Sequence, residues 1–160
     1  MSASVVRKKE YAAIVDPTPI EFPAIFFKAP IYLVHERRSD LYESTAAALS
    51  NKFFIDARIV DARGRVQRVR DARKVRGIGP LRGWNLFFNQ RIEIQLDLEL
   101  EQEQVQLEQL KRWIRESWAR WSGWSAGGDL RERRAALARA TTLAEVFEAV
   151  RERFERLPER

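Results

Sequence analysis

The spacing of apolar residues changes sharply between residues 91 and 121. Polar and apolar residues alternate from Arg91 to Glu101, a pattern typical of a strand with one buried and one solvated face. The predicted buried row of this strand is Ile92, Ile94, Leu96, Leu98 and Leu100. From 103 to 122 the spacing becomes three and four, which predicts a helix with one apolar arc. That arc contains Leu107, Leu110, Trp113, Ile114, Ser117, Trp118 and Trp121.

Prolines and glycines divide the part of the chain that precedes this strand. Four of the six prolines lie between Asp16 and Ile31, and proline cannot donate to a strand ladder, so this segment is predicted to be an edge strand or a wrapping arm. Ser39 to Leu49 is predicted to form a short helix. Gly77 to Gly83 is predicted to be a loop, and residues 84–88 to form a strand that pairs with the strand at 91.

Residues 52–75 are predicted to form a β-hairpin. Its arms are Lys52 to Asp61 and Arg65 to Val75, and Gly64 supplies the positive φ that a short turn requires. The apolar residues of the second arm lie three apart, a spacing that suits a bulged strand or a helix. They are Val66, Val69, Ala72 and Val75. Because valine favours strands, the strand is the preferred interpretation.

The last third of the chain is predicted to be helical. Gly123 ends the tryptophan-rich helix, Asp129 is a candidate N-cap for a helix over Leu130 to Arg139, and Thr142 with Glu145 forms a capping box for a final helix. The final helix is predicted to bury Leu143, Val146, Phe147, Val150 and Phe154. The sequence therefore predicts one α+β domain over 1–160, with a mostly antiparallel sheet from residues 1–101 packed against three C-terminal helices from 103–157.

Composition removes several classes of chemistry. The chain has no cysteine, so it can form neither a disulfide nor a thiolate nucleophile nor a cysteine-based metal site. Its single histidine, His35, has no second histidine with which to bind a metal, and a polar surface role is predicted for it. The N-terminal residues lack the apolar core of a signal peptide, and no apolar run is long enough to cross a membrane, so a cytoplasmic protein is predicted.

Charge is distributed in blocks, with a net charge of +6 that comes mainly from arginine. A basic block spans residues 52–82, and an acidic block spans residues 91–108. Basic side chains on the hairpin and the loop after it are candidate contacts to a protein or to phosphates. They are Arg63, Arg65, Arg68, Arg70, Arg73, Arg76 and Arg82. Interleaved aspartates and the lack of aromatic residues between these arginines weaken a nucleic-acid interpretation, and the alternative is a solvated face whose charges pair internally.

Tryptophans are the second candidate binding group. Most of those on the 103–122 helix are expected to pack against the sheet, because aromatic residues at helical spacing are usually core. Tryptophans at the margin of the arc are candidate anchors for another protein, since Trp and Arg are enriched at interface hot spots. Trp84 and Trp124 are the residues proposed for this role. Contact of the basic helix with an anionic membrane is the disfavoured third alternative.

Three patterns resemble catalytic or ligand motifs, and each has a simpler interpretation. Residues 123–127 match G-x-S-x-G with Ser125 at the centre, but a helix precedes the turn and His35 is far upstream, so a helix connection is favoured. Residues 77–83 resemble a dinucleotide loop whose third glycine is displaced by one position. The carboxylates around Glu93 and Asp97 share one strand face, where solvation or charge pairing is favoured over a metal site.

The sequence favours a non-catalytic protein-binding module of the adaptor or inhibitor kind, such as an immunity protein, with an acidic protein as partner. No cofactor and no metal are predicted. The alternative is a nucleic-acid-binding accessory protein that uses the arginine hairpin for phosphate contacts. A third possibility is a hydrolase that uses Ser125 or the row containing Glu93 and Asp97.

Overall fold

Six antiparallel strands form one curled sheet in the computed structural model, which describes residues 19–78, 90–120 and 129–151. The strands are β1 (Ala24–Lys28), β2 (Ile31–His35), β3 (Glu43–Thr45), β4 (Arg58–Val60), β5 (Val66–Gly77) and β6 (Arg91–Gln102). Their order across the sheet is β2-β1-β4-β5-β6-β3. The predicted α+β fold is confirmed, because an antiparallel sheet is followed by C-terminal helices.

Five helices accompany the sheet in the part of the chain that the structure describes. They are α1 (Arg38–Tyr42), α2 (Ala46–Ser50), α3 (Leu107–Arg120), α4 (Asp129–Arg139) and α5 (Leu143–Val150). The predicted capping box is present at the start of α5, where the Thr142 hydroxyl accepts from the Glu145 N–H at 3.3 Å. Asp129, the predicted N-cap, is instead the first residue of α4. None of the helices in the described ranges has the length and apolar content that a membrane crossing requires.

The strand and helix predicted from the change of spacing are both present. Ile92, Ile94, Leu96 and Leu98 of β6 are buried, whereas Leu100 is 38% exposed near the end of the strand. The helix begins at Leu107, four residues later than predicted from residue 103. The preceding residues belong to a connection in which the N–H of buried Val105 donates to the Gly64 carbonyl at 2.7 Å. That bond ties the start of the helical layer to the hairpin turn.

Bulges in β5 explain the spacing of three in its sequence. The register with β6 shifts between Val69 and Asp71 and again between Lys74 and Arg76, and each bulge adds one residue to β5. Val69 and Ala72 therefore face the same apolar cluster although they are three residues apart. Val75 lies within the second bulge and is 55% exposed. The bulged-strand interpretation is confirmed over the helical one.

Two predicted elements are shorter than expected. The first hairpin arm forms strand only at β4, because Lys52 to Asp56 is a turn in which both end residues have positive φ. The predicted helix over 39–49 is interrupted by β3, which pairs with the first residues of β6 at the edge of the sheet. Thr45 then starts α2 by accepting the Ala48 N–H at 3.2 Å. Pairing with β6 thus overrides the local preference for one helix.

The proline-rich segment contributes both an inner and an edge strand. Pro23 precedes β1, which lies between β2 and β4, and Pro30 lies in the turn before β2, which is the edge of the sheet. The prediction of an edge strand or a wrapping arm over Asp16 to Ile31 is therefore wrong for β1, which pairs with a strand on each side, and the edge strand β2 begins only at the end of that segment. Predictions that fall on residues 79–89, 121–128 and 152–160, including the strand at 84–88 and burial of Phe154, lie outside the described residues.

The core has two parts, one on each side of β1. Ile25 faces the cluster made with α3, α4 and α5, whereas Phe26 faces the cluster inside the curl of the sheet, together with the apolar row of β6. Trp118 joins the helices to the sheet, since its indole N–H donates to the Tyr32 hydroxyl at 2.8 Å. The helices pack on β1, β2 and β4, and the polar side of β5 and β6, which faces away from the cluster inside the curl, remains in solvent.

Candidate functional site

Arginines and acidic residues from three neighbouring strands meet on the solvated side of the sheet. We call this surface the hairpin face. Its basic residues are Arg58, Arg68, Arg70, Arg73 and Arg76, and their acceptors are Asp56, Glu93, Gln95, Glu99 and Glu101. Antiparallel pairing of β4, β5 and β6 places the basic block directly beside the acidic one. This internal charge pairing is the alternative that the sequence leaves open for the basic block.

Arg58 and Glu101 form a two-point ion pair on the hairpin face. Arg58 donates through Nε and Nη2 to the two carboxylate oxygens, at 2.7 and 3.0 Å, which is a bidentate arrangement. The hydrogen bond from Arg58 holds the pKa of Glu101 below its ordinary value. The same bond raises the pKa of Arg58. Both side chains are partly exposed, so the pair is expected to contribute less than about 1 kcal/mol to stability.

The remaining pairs follow β5 and β6 away from β4. Arg76 contacts Glu93 at 2.5 Å, and Arg73 donates twice to the Gln95 side-chain oxygen, at 3.0 and 2.8 Å. Arg70 and Glu99 are 3.8 Å apart, which leaves Arg70 loosely held. Several polar side chains of β6 that the sequence suggested as a metal site are thus paired with arginines of β5. In residues 19–78, 90–120 and 129–151, no group of three or more metal-ligand side chains converges.

Arg68 contacts Asp56, which lies at the end of the turn that precedes β4. The two side chains are 2.5 Å apart and both are exposed. Because Arg68 donates a hydrogen bond to it, the pKa of Asp56 is lowered from its ordinary value. These contacts place charges of both signs along the whole hairpin face.

The turn between β4 and β5 holds two of the predicted site residues in different roles. Arg65 points inward, with only 14% of its side chain exposed, and contacts buried Asp61 at 2.6 Å and the Pro19 carbonyl at 2.7 Å. Arg63 remains exposed and contacts Glu21 at 2.7 Å. Arg65 is therefore part of the folded turn, and Arg63 is available at the surface.

The structure brings four of the predicted site residues together on the hairpin face: Arg68, Arg70, Arg73 and Arg76. Arg82, Trp84 and Trp124 lie outside the described residues. Arg58 belongs to the basic block that the sequence predicts as a candidate binding surface. Trp113 was not singled out among the tryptophans, and it lies at the margin of the apolar arc, next to Ser117. Its position at the margin is the signal that could have distinguished it from a core tryptophan.

A cleft of about 280 Å³ borders the hairpin face, between the β1–β2 turn and α3. We call it the Trp113 cleft. Phe27, Pro30, Ile31 and Trp113 supply its apolar walls, and its polar rim consists of Asp56, Arg58, Glu116, Ser117 and Arg120. The Phe27 ring packs edge-on against Trp113 with centroids 5.8 Å apart, and the Arg58 guanidinium lies 5.5 Å from the Trp113 ring centre. The cleft thus combines aromatic walls with charged groups of both signs.

His35 is a further described residue that the sequence singled out for its chemistry. It is partly buried at the end of β2, where its ring packs edge-on against Phe26 at 6.2 Å. Burial lowers the pKa of His35, and Asp40 partly offsets that effect. The predicted surface role is therefore wrong in part, because one side of the ring belongs to the core cluster inside the sheet.

No protein-family model, no curated protein and no solved structure matches this chain. The hairpin face and the Trp113 cleft are thus the features from which a function can be inferred.

Proposed function

We propose that this protein is a non-catalytic protein-binding module of the adaptor or inhibitor kind. Its binding surface consists of the hairpin face and the Trp113 cleft. The observation that carries the proposal is the stack of Arg58 on Trp113, at 5.5 Å, where the face and the cleft meet. Arginine and tryptophan are the residue types most enriched at the energetic centres of protein interfaces. A cleft between them gives a partner's side chain an apolar pocket with charged rims.

The charge balance of the hairpin face favours a protein partner over a nucleic acid. A phosphate backbone binds by releasing counterions from uncompensated basic residues. Arg58, Arg68 and Arg76 instead have carboxylate partners within the fold. A protein partner carries both signs and can exchange ion pairs with such a surface. The net charge of +6 favours an acidic partner by long-range steering.

Site-specific photo-crosslinking tests this proposal. A photoreactive phenylalanine analogue at Glu116, on the rim of the Trp113 cleft, is expected to crosslink to a discrete protein in extract of the cells that produce the chain. The matched control is the same analogue at Glu132, an exposed position of α4 that lines a different cavity. The adduct should survive nuclease, and Trp113→Ala should reduce its yield about tenfold, as loss of a hot spot predicts.

Two results would overturn the proposal. Equal adducts from Glu116 and Glu132 would mean that the Trp113 cleft is not a specific surface. Adducts removed by nuclease and resistant to protease would identify a nucleic acid as the partner, which is the alternative function. The hydrolase interpretation stays a prediction, since Ser125 lies outside the described residues. A cytoplasmic location also stays a prediction.

A further inference from the structure

We infer that the proposed binding module takes its partner by strand addition, and that the partner segment is extended and acidic. The inference rests on the proposed function and names the mode of binding. The surface involved is the side of β5 that faces away from β6, from Arg70 to Gly77, which we call the open edge. β4 pairs with β5 only over Val66 to Arg68, whereas β5 continues for nine more residues along β6.

The hydrogen bonds at the two ends of the open edge establish which way the backbone points. The N–H of Val69 donates to Ala57, at 2.8 Å, and its carbonyl accepts from Asp56, at 2.9 Å, so both groups of Val69 point away from β6. At the other end, the Ile78 N–H donates to the Arg91 carbonyl at 2.9 Å and points toward β6. Residues of an antiparallel strand alternate between these two orientations.

Counting through the bulges then assigns the residues between those ends. The bulge after Val69 adds one residue to β5, so the backbone groups of Ala72 and Lys74 point away from β6. The bulge after Lys74 adds another residue, and the next position that points away from β6 is Gly77. The Ala72 N–H is accepted by the Asp71 carboxylate at 2.8 Å, in agreement with this assignment. Among the described residues no strand pairs with Lys74 on this side. Its N–H and carbonyl are the centre of the open edge.

A side-chain pocket lies alongside the same edge. The cavity has a volume of about 400 Å³, and Leu49, Phe54, Ile55 and Ala72 form its apolar part. In strand addition, main-chain bonds to the edge supply affinity, and alternate side chains of the added strand occupy neighbouring pockets. The open edge therefore has both components that this mode of recognition requires.

Charge determines which segment fits the open edge. Lys52 lines the pocket, and Lys74 occupies the edge itself; both are exposed. Arg70, with 61% of its side chain exposed, is only loosely held by Glu99 at 3.8 Å. The single acidic residue of the edge, Asp71, already accepts the Ala72 N–H. Lys52 and Lys74 lie on the pocket side of β5, because Lys74 pairs with Ile94 as Ala72 pairs with Leu96, whereas Arg70 lies on the other side beside Glu99. An added strand that alternates acidic with apolar residues would place its apolar side chains in the pocket and its acidic side chains near Arg70, and an acidic residue flanking the apolar ones would pair with Lys52 and Lys74.

Selection from a random peptide library displayed on phage tests the inference, with the full chain immobilised. Peptides that alternate Asp or Glu with β-branched or aromatic residues are expected to be enriched. Lys74→Pro removes the charge together with an outward N–H and should weaken their binding about tenfold, whereas Lys74→Gln removes the charge, keeps the N–H, and should weaken it about threefold. Peptides that bind Lys74→Pro as well as the parent chain, or that lack acidic residues, would overturn the inference, as would failure to enrich any peptide.

Amide hydrogen exchange gives a second readout that does not depend on the variant. In the free full-length chain, the Lys74 amide should exchange rapidly and the Val69 amide slowly; an enriched peptide should protect Lys74. Slow exchange of Lys74 in the free chain would mean that its edge is already covered, and would overturn the inference. Concentration-dependent protection without peptide would identify a second copy as the occupant instead. If Lys74→Pro leaves the Glu116 crosslink unchanged, the proposed function stands and strand addition fails.

Discussion

Substitution of Asp61 is expected to be the most damaging single change at the hairpin turn. The side chain is fully buried, and its carboxylate accepts the Arg63 and Arg65 N–H groups, both at 3.0 Å, through Oδ1. The other oxygen accepts the Arg65 guanidinium through Nε at 2.7 Å. Asp61→Asn keeps the size of the side chain but places either an amide NH₂ group or an uncharged oxygen against that guanidinium.

The expected loss follows from the contacts that Asp61 makes. Hydrogen bonds to charged groups are worth about 1.5 to 3 kcal/mol each, and removal of one member of a buried ion pair costs about 3 to 5 kcal/mol. Asp61→Asn retains part of the backbone capping, so we expect it to lower the free energy of unfolding by about 3 kcal/mol, and Asp61→Ala by about 4 kcal/mol. A loss of about 3 kcal/mol corresponds to a fall of about 10 °C in Tm for a domain of this size.

Equilibrium unfolding in urea, followed by tryptophan fluorescence, measures this loss. Glu99→Gln is the matched control, because Glu99 is exposed and 3.8 Å from its arginine; we expect a change below about 0.5 kcal/mol. In a double-mutant cycle, Asp61→Ala with Arg65→Ala should cost less than the sum of the single losses by about 1 to 3 kcal/mol. A loss below about 1 kcal/mol for Asp61→Asn would refute the account of Asp61 as the buried anchor of the turn.

Gly64→Ala is expected to lower the free energy of unfolding by about 2 kcal/mol in the same urea assay. The reason is that φ at Gly64 is +85° and an added Cβ atom would lie 2.8 Å from Leu143 and 2.6 Å from Gln104. An unchanged unfolding midpoint would contradict this expectation. Arg133→Met should lower the free energy of unfolding by about 2 kcal/mol, because buried Arg133 donates to two carbonyls at the end of α5, at 2.9 and 2.8 Å. A thermal melting curve that overlays that of the parent chain would contradict this. The folded-state pKa of His35 lies below its ordinary value of 6.5, so the unfolded chain takes up the proton first, and stability should fall as pH decreases through 6.5 toward the folded pKa. His35→Gln should flatten that part of the stability profile, and an unchanged slope would assign the pH dependence to another group.

Elements in which the apolar residues recur at one clear spacing could be predicted from the sequence. The alternation in β6 and the helical arc of α3 depend on local patterns that each contain several apolar positions, and both elements are present. The hairpin turn could also be predicted from a local signal, because Gly64 has the positive φ that a short turn requires. Local chemistry thus determines these elements, and only their exact limits depend on neighbours.

Features that depend on distant partners could not be predicted. β3 replaces the middle of a predicted helix because residues far along the chain in β6 pair with it. Arg65 looks like its neighbouring arginines in sequence, yet it turns inward because Asp61 and the Pro19 carbonyl satisfy it. Likewise, the open edge of β5 exists only because β4 is short, which no pattern within β5 indicates. The sequence therefore indicated the arginines of the hairpin face, but neither their geometry nor the place of Trp113 beside them.

We propose above that the hairpin face is a charge-balanced surface that binds protein. Fluorescence anisotropy with labelled DNA and RNA, at about 50 and 200 mM salt, tests it most directly, because phosphate-driven binding weakens steeply over that range. We predict no sub-micromolar binding at either salt concentration, and no difference between the parent chain and a variant with Arg68, Arg70 and Arg76 changed to Ala. Sub-micromolar binding that collapses at the higher salt, and that is lost in the triple variant, would contradict the claim and identify the hairpin face as a nucleic-acid-binding surface.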